Sequence, residues 1–489
     1  MTITMTSNML HASLRAAIIL LSSLFTLHSA AQPLTIEECR RLALENNRKT
    51  QIAALTTQQA QLTSQSTRAM FLPDFSLMGI AAYSTASGTF GMDISGILPT
   101  VQALGPSLVT NALQTAVATG QMTPAAAQQM GQALQQKLGN LSPRAELLDY
   151  KLGWVFHGGV TMKQPLYMGG KIRAGYRMSK LAVDLYRQNE RKTQAEVIED
   201  ADQAYATLVK ATELKAVAEK YREVLQELDR NVESAVRHGM RLENDRLKVQ
   251  VKLNEVELQI RKAENGIRLA QMNLCHVIGR PLSDRPTVSS QYPRVDDAVT
   301  IMASDIMQRP EYAMLEGKAQ IESEQVKVTR SAMLPQLALL ASYGYTGGVK
   351  VNGNNLLDGA NFTGGVTLSV PLYHFGERTG KLKAARLKAE QARLEKEEKA
   401  ELMLLELSQC ANNLDESLLE CQLADKSLQQ AEKSMTVSQK LYQSGTETLS
   451  DYLESQALWQ KAYETRVEAY FQRYLSSVRY LKAAGRLVE

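Results

Sequence analysis

The feature that most constrains this chain is that it is written twice at one fixed spacing. In "QPLYMGGKIRAG" (Gln164–Gly175) and "VPLYHFGERTGK" (Val370–Lys381), the prolines Pro165 and Pro371 stand 206 residues apart. Gly239 in "VRHGMRLENDRL" and Gly445 in "YQSGTETLSDYL" keep that spacing, as do Gly279 in "VIGRPL" and Gly485 in "AAGRLV". The register therefore holds from Pro165 to Gly279 without a gap. Rigid helices demand this, because one inserted residue turns everything beyond it by about 100°.

A second match lies upstream. "FLPDFSLMGIAAY" around Pro73 resembles "MLPQLALLASYGY" around Pro335, at a spacing of 262 residues. The excess of 56 residues marks an insertion in the first copy, at about residues 88–150 and rich in Ala, Gln and Gly. An insertion of that size is tolerated at an exposed loop tip. The chain thus divides into repeat 1 (32–282) and repeat 2 (283–489), each a helix, two strands and a long helical hairpin. Residues 1–31 stand apart: Arg15, the apolar "AAIILLSSLFTL" and the small residues of "HSAA" read as a secretory signal peptide cleaved near Ala31. The apolar run is too short to span a bilayer. Cys39, in "IEECR", lacks the small apolar context of a lipid-attachment site, so an exported, unlipidated chain is expected.

The segments between the landmarks have two kinds of periodicity. From Glu377 to Gln443, apolar residues step by three and four through Ala400, Met403, Leu407, Cys410, Leu414, Leu418, Cys421, Ala424, Leu428, Ala431 and Met435. That is a packed helical seam, and Lys171–Arg237 reads the same way. Each helix would be about 100 Å long. The glycines at 239 and 445 then reverse the chain into shorter helices, Leu242–Ile278 and Thr448–Ala484. Helices of about half the long length, Thr35–Phe71 and Asp297–Leu334, lead into each "LP". Two such halves laid end to end match one long helix, which predicts the wall of a tall, thin α-helical barrel.

Four other stretches alternate strictly. Phe75, Leu77, Gly79, Ala81 and Tyr83 share one face, as do Trp154, Phe156, Gly158, Val160 and Met162. Leu337, Leu339, Ala341, Tyr343 and Tyr345 form the third set, and Phe362, Gly364, Val366, Leu368 and Val370 the fourth. Apolar-out, polar-in strands with aromatics near their ends are the pattern of an outer-membrane β-barrel. Four strands cannot close one, for which about eight is the minimum, and an open edge in lipid is prohibitively costly. Several chains must share a barrel. The fold class expected is therefore mainly α with a membrane β-barrel. The repeated junction marks the crossing between the two parts. Pro165 and Pro371 are expected to end the strand ladders, since proline cannot donate to them. Tyr167 and Tyr373 fit the membrane interface, and Gly169, Gly170 and Gly376 let the chain swing into a helix.

Other functions find little support. The 55 basic and 51 acidic residues nearly balance, which gives no nucleic-acid partner. No internal stretch is apolar enough for a transmembrane helix. His157, His238, His276 and His374 are scattered without metal-ligand spacing, and "GGK" at Gly169 lacks the preceding glycine of a phosphate loop. No catalytic residue, metal or cofactor is expected. Cys410 and Cys421 fall on one helical face about 16 Å apart, too far to bond, and read as core residues. A Cys39–Cys275 pairing stays open.

Taken together, "LTIEECRRLALENN", both "LP" strand entries, both "PLY" junctions and the "G…D" tip motifs, in this order and spacing, resemble the TolC-like outer-membrane efflux family over essentially the whole mature chain. The resemblance implies a homotrimer whose three sets of four strands make one twelve-stranded barrel in the outer membrane of a Gram-negative bacterium. It implies a helical tunnel in the periplasm, a periplasmic adaptor and an inner-membrane transporter as partners, and a passive exit duct for efflux or type I secretion. A general diffusion porin and a non-conducting envelope-spanning protein are the alternatives. In this family acidic side chains just past the second tip glycine close the tunnel; the matching residues are Asp451 and Glu454, with Asp245 in the first repeat. Tyr442 matches a tyrosine that latches the closed tip. The latch residue two positions after the second tip glycine is typically basic, whereas here it is Glu447; the base stands in repeat 1 as Arg241. A reversed latch is expected, with Arg241 meeting Glu447 or Asp451. The loops at Gly239 and Gly445 are expected to receive the adaptor's helical hairpins.

Overall fold

The computed structural model describes residues 33–90, 98–118, 122–139, 148–289, 292, 305–351 and 354–487. The expected signal peptide and the start of the helix expected from Asp297 lie outside the described residues. In chain order the elements are α1 (Ile36–Asn46), α2 (Arg48–Ala69), β1 (Asp74–Tyr83), β2 (Ser87–Phe90), α3 (Leu98–Ala118), α4 (Pro124–Gly139), β3 (Leu148–Met168), α5 (Lys171–Arg237) and α6 (Glu243–Val277). They continue with α7 (Asp305–Gln308), α8 (Pro310–Ser331), β4 (Gln336–Val351), β5 (Asn354–Ser369), α9 (Glu377–Gln443) and α10 (Leu449–Ala483). Contacts divide them into a helical unit (up to Thr67, Lys171–Arg330, and from His374) and a sheet unit (Arg68–Gly170 and Ser331–Tyr373). Each unit draws on both halves of the sequence.

In the helical unit α5 and α9 are each 67 residues long, and α6 and α10 are each 35. Each long helix is therefore about 100 Å. One apolar core joins α1, α5 and α6 through Cys39, Ala43, Ala201, Leu208, Leu274 and Ile278. A polar anchor sits beside it. Arg40 donates from Nε and Nη2 to the two carboxylate oxygens of Asp202, at 2.8 and 2.6 Å, and Asp202 is fully buried. Removing one partner of such a pair strands a buried charge, at a cost of about 3–5 kcal/mol.

The helix expected over Thr35–Phe71 is broken at Asn47. That residue adopts extended backbone (φ −68°, ψ 133°), its amide caps α1 on Ala43, and its Oδ1 accepts from the Lys49 amide at 2.8 Å. Its Nδ2 donates to the Val277 carbonyl at 2.9 Å, tying the break to the end of α6. Gly279 turns the chain there with φ 71°, and a Cβ would lie 2.5 Å from that of Asn46, so only glycine fits. All four cysteines are free, which closes the open question of a Cys39–Cys275 bond. Burial pushes the Cys39 thiol up to about 12.

The sheet unit is an antiparallel sheet in the order β1–β3–β4–β5, with β2 also on β3. The first expected strand ends at Tyr83, where its alternation ends, and a further short strand, β2, resumes pairing with β3 at Ser87–Lys151. Cross-strand register puts the predicted apolar sets on one face: Leu77 opposite Val160, Val160 opposite Tyr343, and Tyr343 opposite Phe362. Leu77 is 82 % and Phe362 71 % exposed within the chain. The other face carries Ser76, Thr161, Ser342 and Thr363 in one row. There Thr161 and Ser342 hydroxyls meet at 3.3 Å, and His157 Nδ1 lies 2.8 Å from the Thr346 hydroxyl.

At one junction the structure departs from expectation. Pro165 does not end its ladder: it pairs with Ala338, and after a register shift Tyr167 and Met168 pair with Leu337 and Gln336. The irregularity absorbs the missing donor, as bulges in strands do. β5 does end before Pro371, at Ser369. Gly169 and Gly170 follow β3 with φ of 61° and 86°, and Gly376 caps α9 with φ 88°. At Gly169 a Cβ would also stand 2.6 Å from the Ser331 carbonyl oxygen. Tyr167 and Tyr373 are both exposed. Among the described residues no helix is long and apolar enough to cross a membrane.

Candidate functional site

The two reversals of the helical unit are built alike. α5 ends at Arg237, and Gly239 takes φ 73° so that its amide reaches Val236 and that of Met240 reaches Ala235, both at 2.9 Å. α9 ends at Gln443, Gly445 takes φ 78°, and the Gly445 and Thr446 amides return to Tyr442 and Leu441. Left-handed glycine closures of this kind satisfy the last carbonyls of a helix. A shared core holds the tips together: Leu228 and Val232 of α5, Val249 of α6, and Leu449, Tyr452 and Leu453 of α10.

Asp451 closes a capping box. Its amide donates to the Thr448 hydroxyl at 3.2 Å, and its carboxylate accepts from the Thr448 amide at 3.3 Å. Both Asp451 and Glu454 are exposed on the first turns of α10. Asp245 lies in the first turn of α6 and pairs with Lys248 at 3.8 Å. Lys248 and Glu454 line one cleft of about 510 Å³ between α6 and α10, with Leu247, Val251 and Leu453 as its apolar walls.

Among the described residues Arg241 makes no ion pair with Glu447 or Asp451, the two contacts expected of a reversed latch. Arg241 lies over the Tyr442 ring, 4.9 Å from its centroid, and Tyr442 stacks on Tyr452 at 5.3 Å. Glu447 is turned toward α9, where its Oε1 accepts from the Ser438 hydroxyl at 2.7 Å; Oε2 is buried without a hydrogen-bond partner among the described residues. The reason is local. The capping box engages Asp451, and the Ser438 hydroxyl holds Glu447. The aromatic face is then what remains for Arg241. Burial pushes the Tyr442 phenol above its ordinary value, against a smaller pull downward from Arg241. Arg241, Tyr442, Tyr452 and Gly445 border a cleft of about 640 Å³ between the ends of α5 and α9.

Sequence reasoning assigned both Arg241 and Tyr442 to a latch but expected Arg241 to meet Glu447 or Asp451, not the Tyr442 ring. It missed Tyr452, Ser438 and Lys248. Tyr452 had a signal: Leu449, Tyr452, Leu453, Gln456 and Trp459 follow helical spacing and are all buried. Ser438 and Lys248 had none, since a lone serine or lysine on a long helix is ordinary. Among the described residues no group of three or more His, Cys, Asp and Glu is placed to hold a metal ion.

An antiparallel sheet with one apolar, exposed face, joined twice in sequence to long helical hairpins, has the pattern of an outer-membrane β-barrel protein with added helices. Residues 153–280 and 307–486 match the outer membrane efflux protein family, and the chain belongs to that family. The chain is 27% identical over 243 residues to the pyoverdine export outer membrane protein OpmQ of Pseudomonas aeruginosa, and 24% identical over 227 residues to that of Pseudomonas putida. The first alignment covers 46% of this chain and 48% of that relative, the second 44% and 46%, so the chain spans about half the length of the curated relatives it matches. The fold is that of solved channels. The CmeC outer membrane channel of Campylobacter jejuni superposes with a TM-score of 0.69 at 19% identity, covering 92% of this chain and 86% of that one. The open-state MtrE outer membrane channel of Neisseria gonorrhoeae gives 0.70 at 14% identity, covering 93% and 89%.

Proposed function

We propose that the protein works as a homotrimer, in which three sheets close one twelve-stranded barrel and the helical units form a tunnel in the periplasm. The trimer is a passive exit duct of a tripartite efflux or type I secretion system. One observation carries this reading. The sheet ends in β1 on one side and β5 on the other, while its outward face is apolar and exposed. In lipid each unpaired backbone group at such an edge costs several kcal/mol, so the edges must pair, and another copy supplies the matching edge. The helices agree: α9 leaves Leu387, Leu394, Leu405, Leu419 and Leu423 exposed along its length, a stripe that a neighbouring copy would cover.

In the trimer Asp451, Glu454 and Asp245 form rings of carboxylates at the tips, which favour cations and bind divalent ones. Arg241 on Tyr442 holds the tip closed, and the partnerless Glu447 oxygen offers Arg241 a second site once that contact breaks. The loops at Gly239 and Gly445 receive a periplasmic adaptor, which links the channel to an inner-membrane transporter. The pyoverdine-export relatives and the efflux family support export of a small secreted molecule. Native mass measurement with single-channel recording in planar bilayers tests the proposal. A trimer with a cation-favouring conductance is expected. A monomer in both detergent and lipid, or a trimer that conducts nothing, would overturn it.

A further inference from the structure

The inserted α3 and α4 lie outside the segments that match the family. They pack on each other, with a Cβ at Gly131 placed only 3.4 Å from Leu113 Cδ1. This leaves Leu104 and Leu108, one helical turn apart on α3, 55 % and 66 % exposed, and Met130 of α4 is exposed as well. The pair carries almost no charge: α3 has no Asp, Glu, Lys or Arg, and α4 has only Lys137. The chain as a whole is 22% charged. Gln supplies much of the polarity, at residues 102, 114, 128, 129, 132, 135 and 136.

Two further facts say what covers the apolar stripe. The helices are inserted between β2 and β3, and β2 continues the edge strand at which a neighbouring copy must pair. They also leave the sheet at the end opposite the strand–helix junctions, since Ser87 pairs with Lys151 whereas Asp74 pairs with Lys163. Around a rotation axis a residue meets copies of itself, so a charge there is repelled by its own equivalents, whereas Leu and Gln are not. A docking site for an anionic lipid surface would need a cluster of basic residues, and Lys137 stands alone.

We infer that the α3–α4 hairpins of the three copies pack on one another through Leu104 and Leu108 near the axis, capping the outer mouth of the barrel. The inference rests on the trimeric reading above. The test uses the full chain with Leu104→Cys, Leu108→Cys or, as control on another exposed face of α3, Gln114→Cys. Oxidation is followed by a denaturing gel, with the native protein as blank: Cys39, Cys275 and Cys421 are buried and Cys410 half-buried. Covalent dimers several-fold above the Gln114→Cys level are expected at Leu104 or Leu108. Native mass measured before oxidation separates the two readings. An intact trimer with no more cross-linking than the control overturns the hairpin contact alone, and absence of a trimer overturns both. Replacing residues 98–139 with a short Gly-Ser linker should leave the trimer intact and raise its conductance. An unchanged conductance in that intact trimer overturns the cap.

Discussion

The guanidinium carbon of Arg241 stands 4.9 Å from the centroid of the Tyr442 ring, so the reversal between α5 and α6 is pinned to the end of α9 by a cation on an aromatic face. Such contacts contribute about 0.5–1 kcal/mol at exposed sites and more when water is excluded. Tyr442 is half-buried and stacked on Tyr452, which fixes the ring for the contact. Tyr442→Phe keeps the face and should leave closed-state conductance unchanged. Tyr442→Ala and Arg241→Ala should each raise it in planar bilayers. If Tyr442→Phe opened the channel as far as Tyr442→Ala, the hydroxyl rather than the ring would be the latch.

Asp451 and Glu454 are expected to part company when stability and selectivity are measured together. Asp451 supplies the N3 half of the capping box on Thr448 and a negative charge in the first turn of α10, which contributes about 0.3–1 kcal/mol. Glu454 is exposed and lies beyond the cap. Asp451→Ala should lower both the thermal midpoint and the cation preference of the channel. Glu454→Gln should lower the cation preference alone. A Glu454→Gln channel with unaltered cation-to-anion permeability would remove that residue from the gate.

Much of this architecture could be read from the residues, for an identifiable reason. The spacing from Gly239 to Gly445 constrains rigid helices, and α5 and α9 indeed have equal lengths. Period-two alternation fixes which face of a strand is apolar, and Leu77, Val160, Tyr343 and Phe362 fall into one row. What escaped was set by neighbours distant in sequence. The break at Asn47 depends on the Val277 carbonyl, more than two hundred residues away. The ladder survives Pro165 because the register shifts locally against β4, which proline chemistry alone does not foretell. At the tips, the signs of Arg241 and Glu447 invited a direct pair. A serine one helical stretch back holds Glu447, and an aromatic ring takes Arg241.

Gly239 and Gly445 should tolerate no side chain, through backbone rather than space. Both have left-handed φ, and a Cβ at either would meet nothing within 4 Å. The left-handed conformation costs other residues about 1–2 kcal/mol. Gly239→Val or Gly445→Val should therefore distort the tip locally while the trimer mass stays unchanged. Export in cells should fall sharply. Loss of the trimer in either variant would make these turns purely structural.

The Cys39 thiol offers a pH test of the core that joins α1, α5 and α6. It is fully buried, and burial, with Glu38 adding to it, pushes the thiol up to about 12. The folded protein thus holds the Cys39 proton more tightly than the unfolded chain does. The stability this gives is complete below the ordinary thiol value and is lost as pH rises through about 12. At pH 8 a thiol reagent should leave Cys39 unmodified until denaturant is added, by peptide mapping. From pH 9 to 12 the denaturation midpoint of the native protein should fall more steeply than that of Cys39→Ala. Equal slopes would mean that the thiol already ionises in the folded state and that water reaches this core.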